Sequence, residues 1–240
     1  MIKAVTFDFW QTLYADSQEL KRERQAMRTR YCHKFLVEQG HDVTPAAVNS
    51  GIQTAYRLAE TMWYQHRGVT VDACILRLLS SLGIQPTPPV VEHLVHLTGE
   101  ACLNVPPVLI PYTKETLAQL STKYELGIIS DTGLTPSRVL RQLMTADGIL
   151  GKFAAQTYSD ETAHTKPEVI QFHSTLKQLN VQPSEAVHIG DLVWTDIVGA
   201  KNAGMKAIQF SGVTGRADDD ALCDAKFDDY RQLETILERL

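Results

Sequence analysis

No stretch of this sequence approaches the roughly 18 apolar residues that a membrane helix needs, so a bilayer is not expected as its surroundings. Cysteine is scarce. Cys32, Cys74, Cys102 and Cys223 lie far apart, with no CxxC pair and no Cys/His ligand spacing, so they are expected as reduced, semi-buried thiols. Basic residues are not in excess: 23 Lys and Arg face 28 Asp and Glu, a formal net charge of -5. Binding to a nucleic-acid backbone relies on clustered Lys and Arg, which makes nucleic acid an unexpected partner and a small molecule a better one. The opening Ile-Lys-Ala-Val-Thr-Phe-Asp has neither a basic n-region nor an apolar h-region, so the expected location is cytoplasmic. There is no internal repeat or low-complexity tract, and the oligomeric state leaves no mark.

Hydrophobic residues at 44% and charged residues at 21% are ordinary globular usage, and 240 residues can bury a sizeable core, either as one domain or as a core with an insertion. Short apolar runs recur at Ala4 to Phe9, Leu126 to Ser130, Ala154 to Tyr158, Ala186 to Gly190 and Lys206 to Phe210. Between the later ones lie helical stretches near Thr113 to Lys123, Pro136 to Met144, Glu168 to Leu179 and Thr195 to Ala203. Such alternation predicts an α/β fold with a Rossmann-like, doubly wound parallel sheet, its strands buried on both faces.

Between about Asp16 and Pro107 the strand signals give way to helical periodicity. A first helix carries Leu20, Met27, Tyr31 and Phe35 on one face. A second opens after Thr44-Pro45 and carries Val48, Ile52, Tyr56, Ala59 and Trp63. A third has Val71, Ile75, Leu78 and Leu82 and stops at Gly83, and a fourth runs from about Pro89 to Leu103. The expected organisation is a core of residues 1-15 and 107-240 with an all-helical insertion, residues 16-106, after the first strand.

In an open α/β sheet ligands bind beyond the carboxyl ends of the strands. Polar residues gather at four such places: Asp8 to Leu13 after the first strand, Ser130-Asp131-Thr132-Gly133 after the second, Lys166-Pro167 following the third, and Asp191 with Asp196 after the fourth. Each alone reads as a helix cap or a helix start. Together, ordered as Asp, Ser, Lys and Asp-x4-Asp on successive βα units, they resemble the four-part signature of the haloacid dehalogenase-like hydrolases. The resemblance runs from residue 1 to about residue 215, and the insertion matches that superfamily's helical cap in position and type.

The resemblance implies a hydrolase in which Asp8 attacks phosphorus to give an aspartyl-phosphate, dividing one hard displacement into two easier ones. Both partners are anionic, so such a site needs a cation and hydrogen-bond donors. Asp191 then matches the Mg²⁺ ligand, Lys166 the ammonium that neutralises nucleophile and phosphate, and Ser130 the hydroxyl that binds a phosphoryl oxygen. Asp131 and Thr132 follow it on the substrate side, although Asn is frequent where Asp131 stands and a loop cap is its structural reading. Asp196 either supports the metal or orients Lys166, Thr12 steadies the first loop, and the backbone carbonyl of Trp10 completes the metal site.

The sequence departs from this pattern at Trp10. Phosphatases of the superfamily usually carry a second Asp there, which protonates the leaving group and later activates water. An indole N–H donates without titrating usefully, and general acid-base help is worth about 10² to 10⁴ in rate. Three readings follow: a Mg²⁺-dependent phosphatase or phosphotransferase for a small phosphate ester or acyl phosphate, favoured by Asp191 and Asp196; a 2-haloacid dehalogenase, whose halide leaves without a proton; or a catalytically impaired binding or regulatory protein. Three other features are read more plainly. Lys21, Arg22, Arg24, Arg28 and Arg30 give the first helix a basic stretch, read as a solvated face in preference to an attractor for an anionic substrate. Trp63, Tyr64, His66 and Arg67 end the second helix and either line a substrate mouth or, for Trp63 at least, pack between helices; His164, two residues before Lys166, is read as a surface loop histidine in preference to one that reaches the site.

Overall fold

A computed structural model describes residues 1–213 and 222–240. In chain order its elements are β1 (Ala4–Phe7), β2 (Tyr14–Ala15), α1 (Gln18–Glu38), α2 (Pro45–Tyr64), α3 (Val71–Ser81), α4 (Pro88–Asn104), β3 (Val108–Leu109), α5 (Thr113–Leu120), β4 (Glu125–Ser130), α6 (Ser137–Ala146) and β5 (Ala155–Tyr158). There follow α7 (Ser159–Thr162), α8 (Val169–Leu179), β6 (Ala186–Gly190), a π-helical turn (Val193–Ile197) running into α9 (Val198–Asn202), then β7 (Lys206–Phe210), β8 (Ala225–Phe227) and α10 (Leu233–Leu237). Among the described residues no helix is long and apolar enough to cross a membrane.

The chain forms two compact units. One comprises Met1–Ala15, Val108–Asp131 and Met144–Leu240, the other Asp16–Pro107 and Thr132–Leu143. The stretch 132–143, which the sequence places in the core alternation, thus groups with the helical segment.

In the first unit six parallel strands run in the order β5-β4-β1-β6-β7-β8. β1 is central and buried throughout, which is why Ala4-Val5-Thr6-Phe7 reads as a nearly continuous apolar run, broken by Thr6 alone, rather than an alternating one. The chain leaves β1 for β4 and β5 on one side and returns through β6, β7 and β8 on the other. That reversal puts the topological switch point between β1 and β6, the place where an open sheet splays a crevice beyond its carboxyl edge. Ala4, Ile129, Phe172, Leu176, Ile197 and Ala207 are among the residues that fill this unit's core. The sequence signals miss β8 and the two-residue pair β2–β3, both too short to show a period.

The helical unit is built on caps visible in the sequence. Ser17, Thr44 and Thr70 accept hydrogen bonds from the backbone N–H of Leu20, Ala47 and Ala73, each at 3.2 Å, and Pro45 stands at the start of α2. Leu36, Ile52, Leu78, Leu94 and Leu134 belong to its apolar core.

Two readings of α1 need correction. Its buried stripe is Arg24, Arg28, Cys32 and Leu36, whereas Leu20, Met27, Tyr31 and Phe35 are only half-buried. The basic stretch is therefore not all solvated: Arg24 is 4% and Arg28 2% exposed. Arg24 makes a two-pronged pair with Asp16 at 3.0 Å per bond and donates to the Val105 carbonyl, also at 3.0 Å. Arg28 donates to the Thr98 carbonyl, the Thr135 hydroxyl and the Tyr56 hydroxyl. Burying guanidinium is tolerable when its donors find such partners, and a helical wheel of hydrophobicity does not register them. Cys32, Cys74 and Cys102 are fully buried, beyond the semi-buried state expected, and Cys223 is half-buried.

Candidate active site

Register gathers the strand-end residues. Phe7 on β1 faces Ile128 on β4 and Ile189 on β6, so Asp8 lies one residue past that row and Ser130 and Asp191 two past it. The Asp8 N–H continues the ladder by donating to the Ile189 carbonyl at 2.9 Å, which holds the carboxylate at the switch point.

Lys166 reaches into the same place from the turn before α8. Its Nζ donates to Asp8 Oδ1 at 2.6 Å and to Asp196 Oδ1 at 2.5 Å, and all three side chains are buried. Its backbone N–H donates to Asp131 Oδ1 at 3.1 Å, so Asp131 pins the lysine's own turn. Asp196 has both oxygens engaged: Oδ1 accepts from Lys166 and His188 Nε2, and Oδ2 accepts from the Leu192 N–H at 3.0 Å and the Thr195 hydroxyl at 3.2 Å. The π-helical turn at Val193–Ile197 carries Asp196 back under β6.

Asp8, Asp191 and Asp196 offer carboxylate oxygens all within 4.8 Å of one another. Three carboxylates and the one Lys166 ammonium leave two negative charges, which a single divalent cation offsets, and oxygen-only donors suit a hard ion such as Mg²⁺. The donor set therefore fits that metal.

The electrostatics follow from crowding. Burial, with Asp196 adding to it and Lys166 opposing, pushes the Asp8 carboxyl up to about 7. Burial works against ionised Asp196 as well, yet Lys166 and His188 outweigh it and hold Asp196 below the usual carboxylate range. Burial alone would lower Lys166, but Asp196 and Asp8 keep its ammonium above the ordinary lysine value. Two carboxylates compete for one ammonium, and Asp196, with more donors, wins.

The remaining expected residues are placed as follows. Ser130 is buried at the end of β4, and among the described residues its hydroxyl makes only a long contact, 3.4 Å, to the Asp131 carbonyl. Thr132 belongs to the helical unit by its packing, although Ser130 and Asp131 belong to the core. Thr12 is fully buried, its hydroxyl has no partner among the described residues, and its carbonyl accepts from the Tyr230 hydroxyl at 2.8 Å. Trp10 is half-buried and meets the Phe9 ring edge-on at 4.9 Å, while Phe9 stacks on Tyr14 at 4.5 Å. Hydrogen bonds from the Leu13 and Tyr14 N–H groups to the Phe9 carbonyl close this turn. His164 lies on the surface and meets Glu168 at 3.0 Å; Trp63 is half-buried beside an exposed Tyr64.

Three residues that sequence reasoning passed over touch this constellation. Gln209, fully buried, donates from Nε2 to the Asp191 carbonyl at 3.2 Å. Tyr230 holds the Thr12 carbonyl, and His188 sits between Thr6 and Asp196. The signal available for two of them was a polar side chain inside an otherwise apolar strand, Ala-Val-His-Ile-Gly and Lys-Ala-Ile-Gln-Phe.

Comparison with known proteins agrees with this architecture. A family model described as haloacid dehalogenase-like hydrolase matches residues 2–204. The chain is 29% identical over 246 residues to a protein named glyceraldehyde 3-phosphate phosphatase from Methanothermobacter thermautotrophicus, covering 99% of this chain and 100% of the relative. A protein of the same name from Methanopyrus kandleri is 29% identical over 251 residues, covering 100% and 99%. Among solved structures, a 2-haloacid dehalogenase from Pseudomonas syringae superposes with a TM-score of 0.73 at 26% identity, covering 100% of this chain and 99% of that one. A phosphatase from Thermococcus onnurineus at 22% identity, covering 98% of both chains with a TM-score of 0.67, shares the fold.

Proposed function

The chain belongs to the haloacid dehalogenase-like hydrolases, and we propose that it is a Mg²⁺-dependent phosphatase or phosphotransferase that forms an aspartyl-phosphate on Asp8 from a small phosphorylated metabolite. The observation that carries this reading is the Lys166 ammonium bonded to Asp8 at 2.6 Å inside a cluster of three buried carboxylates. Metal-free displacement at carbon has no evident use for the Asp191 carboxylate. The full-length relatives named as phosphatases point the same way.

In this reading Asp8 and Asp191 hold the metal, and the Trp10 backbone carbonyl, two residues beyond the nucleophile, is assigned to the same ion. Asp196 was open to two roles, and its four hydrogen bonds favour orienting Lys166 over ligating. Magnesium, when bound, supplies the positive charge that screens a carboxylate nucleophile from an anionic phosphoryl group. Lys166 adds a second positive charge on the nucleophile's own oxygen, Ser130 donates its hydroxyl to a phosphoryl oxygen, and Asp131 keeps Lys166 in register. Asp8 attacks phosphorus as a carboxylate. With Trp10 in place of an acid, donors whose leaving groups depart unprotonated, acyl and aryl phosphates, suit the site best. The helical unit is assigned the choice among them.

The test is a panel of phosphate esters and acyl phosphates, with and without Mg²⁺, run beside 2-haloacids in excess chelator. Turnover that needs Mg²⁺ and disappears in Asp8→Asn is the expected result. Chelator-resistant halide release would identify a dehalogenase, the reading that Trp10 favours, and silence across both sets would leave a binding protein.

A further inference from the structure

We infer that His188 is a positioning residue for Lys166 that acts through Asp196, a role that rests on the aspartyl-phosphate reading. His188 lies in the middle of β6, fully buried, where an aliphatic side chain would pack without any polar group to satisfy. Instead both ring nitrogens are engaged. Nδ1 is 2.9 Å from the Thr6 hydroxyl on β1, and Nε2 is 3.2 Å from Asp196 Oδ1. The Phe172 ring meets the imidazole edge-on at 5.1 Å and fixes its plane.

The donor directions close on one arrangement. Asp196 is an ionised carboxylate and only accepts, so Nε2 carries the proton. A neutral ring then has a bare Nδ1, which needs a donor, and the Thr6 hydroxyl is the donor within reach. The line of bonds is Thr6 to His188 to Asp196, with Lys166 entering the same Asp196 oxygen at 2.5 Å and Asp8 at 2.6 Å. Asp196 Oδ2 is already tied to the Leu192 N–H and the Thr195 hydroxyl. His188 fixes the other oxygen, and so decides the direction from which Lys166 must approach. A neutral donor does this without a second cation that would compete with Lys166 for the carboxylate.

His188→Phe keeps the ring and the packing against Phe172 but removes the N–H. We expect kcat for an acyl phosphate to fall about 10- to 100-fold, the usual cost of losing such a supporting bond, while KM changes far less. His188→Gln, whose amide can donate to Asp196 and accept from Thr6, should recover most of the loss. Nitrogen-15 NMR of the imidazole in the wild-type protein should show the Nε2–H tautomer. Should His188→Phe not fold, Thr6→Val replaces it: loss of the Thr6 donor should lower kcat and mix the two tautomers.

A wild-type kcat in His188→Phe, an equal loss in Phe and Gln variants, or a dominant Nδ1–H signal overturns the assignment. With His188→Phe unfolded, unchanged kcat and tautomer in Thr6→Val do the same. A wild type that turns over no phosphorylated compound overturns the aspartyl-phosphate reading first, and the role of His188 with it. That outcome is recognised by the inactive wild type rather than by the variants.

Discussion

Gly190 and Asp196 approach so closely that a Cβ on residue 190 would lie 2.2 Å from Asp196 Cγ and 2.4 Å from its Cβ. The absence of a side chain at the end of β6 is what lets the π-helical turn fold the carboxylate beneath the strand. Gly190→Ala should therefore displace Asp196, unseat Lys166 and cost about 1 to 3 kcal/mol through overpacking. Gly151, around which a Cβ would meet nothing within 4 Å, provides the control. Denaturant titration together with the phosphatase assay checks both; equal behaviour of the two alanine variants would refute the close-packing account.

On the aspartyl-phosphate reading proposed above, Trp10 leaves each half-reaction without the usual acid or base. A good leaving group removes that need in the first half only, because hydrolysis of the acyl phosphate still requires an activated water. The wild-type chain is expected to form the Asp8 phosphoenzyme from acetyl phosphate faster than it breaks it down, giving a burst. Trp10→Asp should speed breakdown by at most about 10² to 10⁴, equivalent to roughly 3 to 5 kcal/mol of barrier, less whatever the lost contact with Phe9 costs. Rapid-quench measurement on both proteins decides it, and steady turnover without a burst in the wild type, with a slower mutant, would show that another group supplies the base.

Arg24 and Asp16 form a buried pair in the helical unit, 4% and 5% exposed. Removing one partner leaves an uncompensated charge, so Arg24→Met should destabilise the chain by about 3 to 5 kcal/mol, and adding Asp16→Asn should restore part of it. Chemical denaturation of the two single variants and the double variant measures this coupling. Additive losses would mean that the pair contributes nothing as a pair.

Burial pushes the Cys32 and Cys74 thiols up to about 12 from an ordinary 9.0, and Cys102 in the same direction. The folded state therefore keeps protons that the unfolded chain gives up. Their stabilising effect is complete below pH 9.0 and is lost as pH rises from there toward about 12. Native protein at pH 8 should react with a thiol reagent mainly at half-buried Cys223, and all four thiols should react after unfolding. Rapid modification of Cys32 or Cys74 in the native state would contradict the burial.

Much of the core was legible because parallel strands covered on both faces leave long apolar runs. The runs at Leu126 to Ser130, Ala186 to Gly190 and Lys206 to Phe210 match β4, β6 and β7 to within a residue. The four helices of the insertion were legible from their caps and stop signals, but not the burial of α1. Hydrophobic periodicity is blind to two guanidinium groups whose donors are answered by Asp16 and Val105 for Arg24 and by Thr98 and Thr135 for Arg28, partners scattered over the chain.

For the site, local sequence determined which chemical groups exist and where each strand delivers them: a carboxylate after β1, a hydroxyl after β4, an ammonium before α8 and two carboxylates after β6. Those assignments depend on residues within a few positions of one another, so a linear reading can reach them. Only the tertiary structure decided how the groups divide the work. Lys166 is 158 residues from Asp8 and 30 from Asp196, and nothing local says that one ammonium bridges both. The same holds for His188 meeting Thr6 across 182 residues and for Tyr230 reaching Thr12 across 218. Hydrogen bonds act over about 3 Å, and it takes the sheet order together with the turns and helices packed on it to bring those atoms within that range.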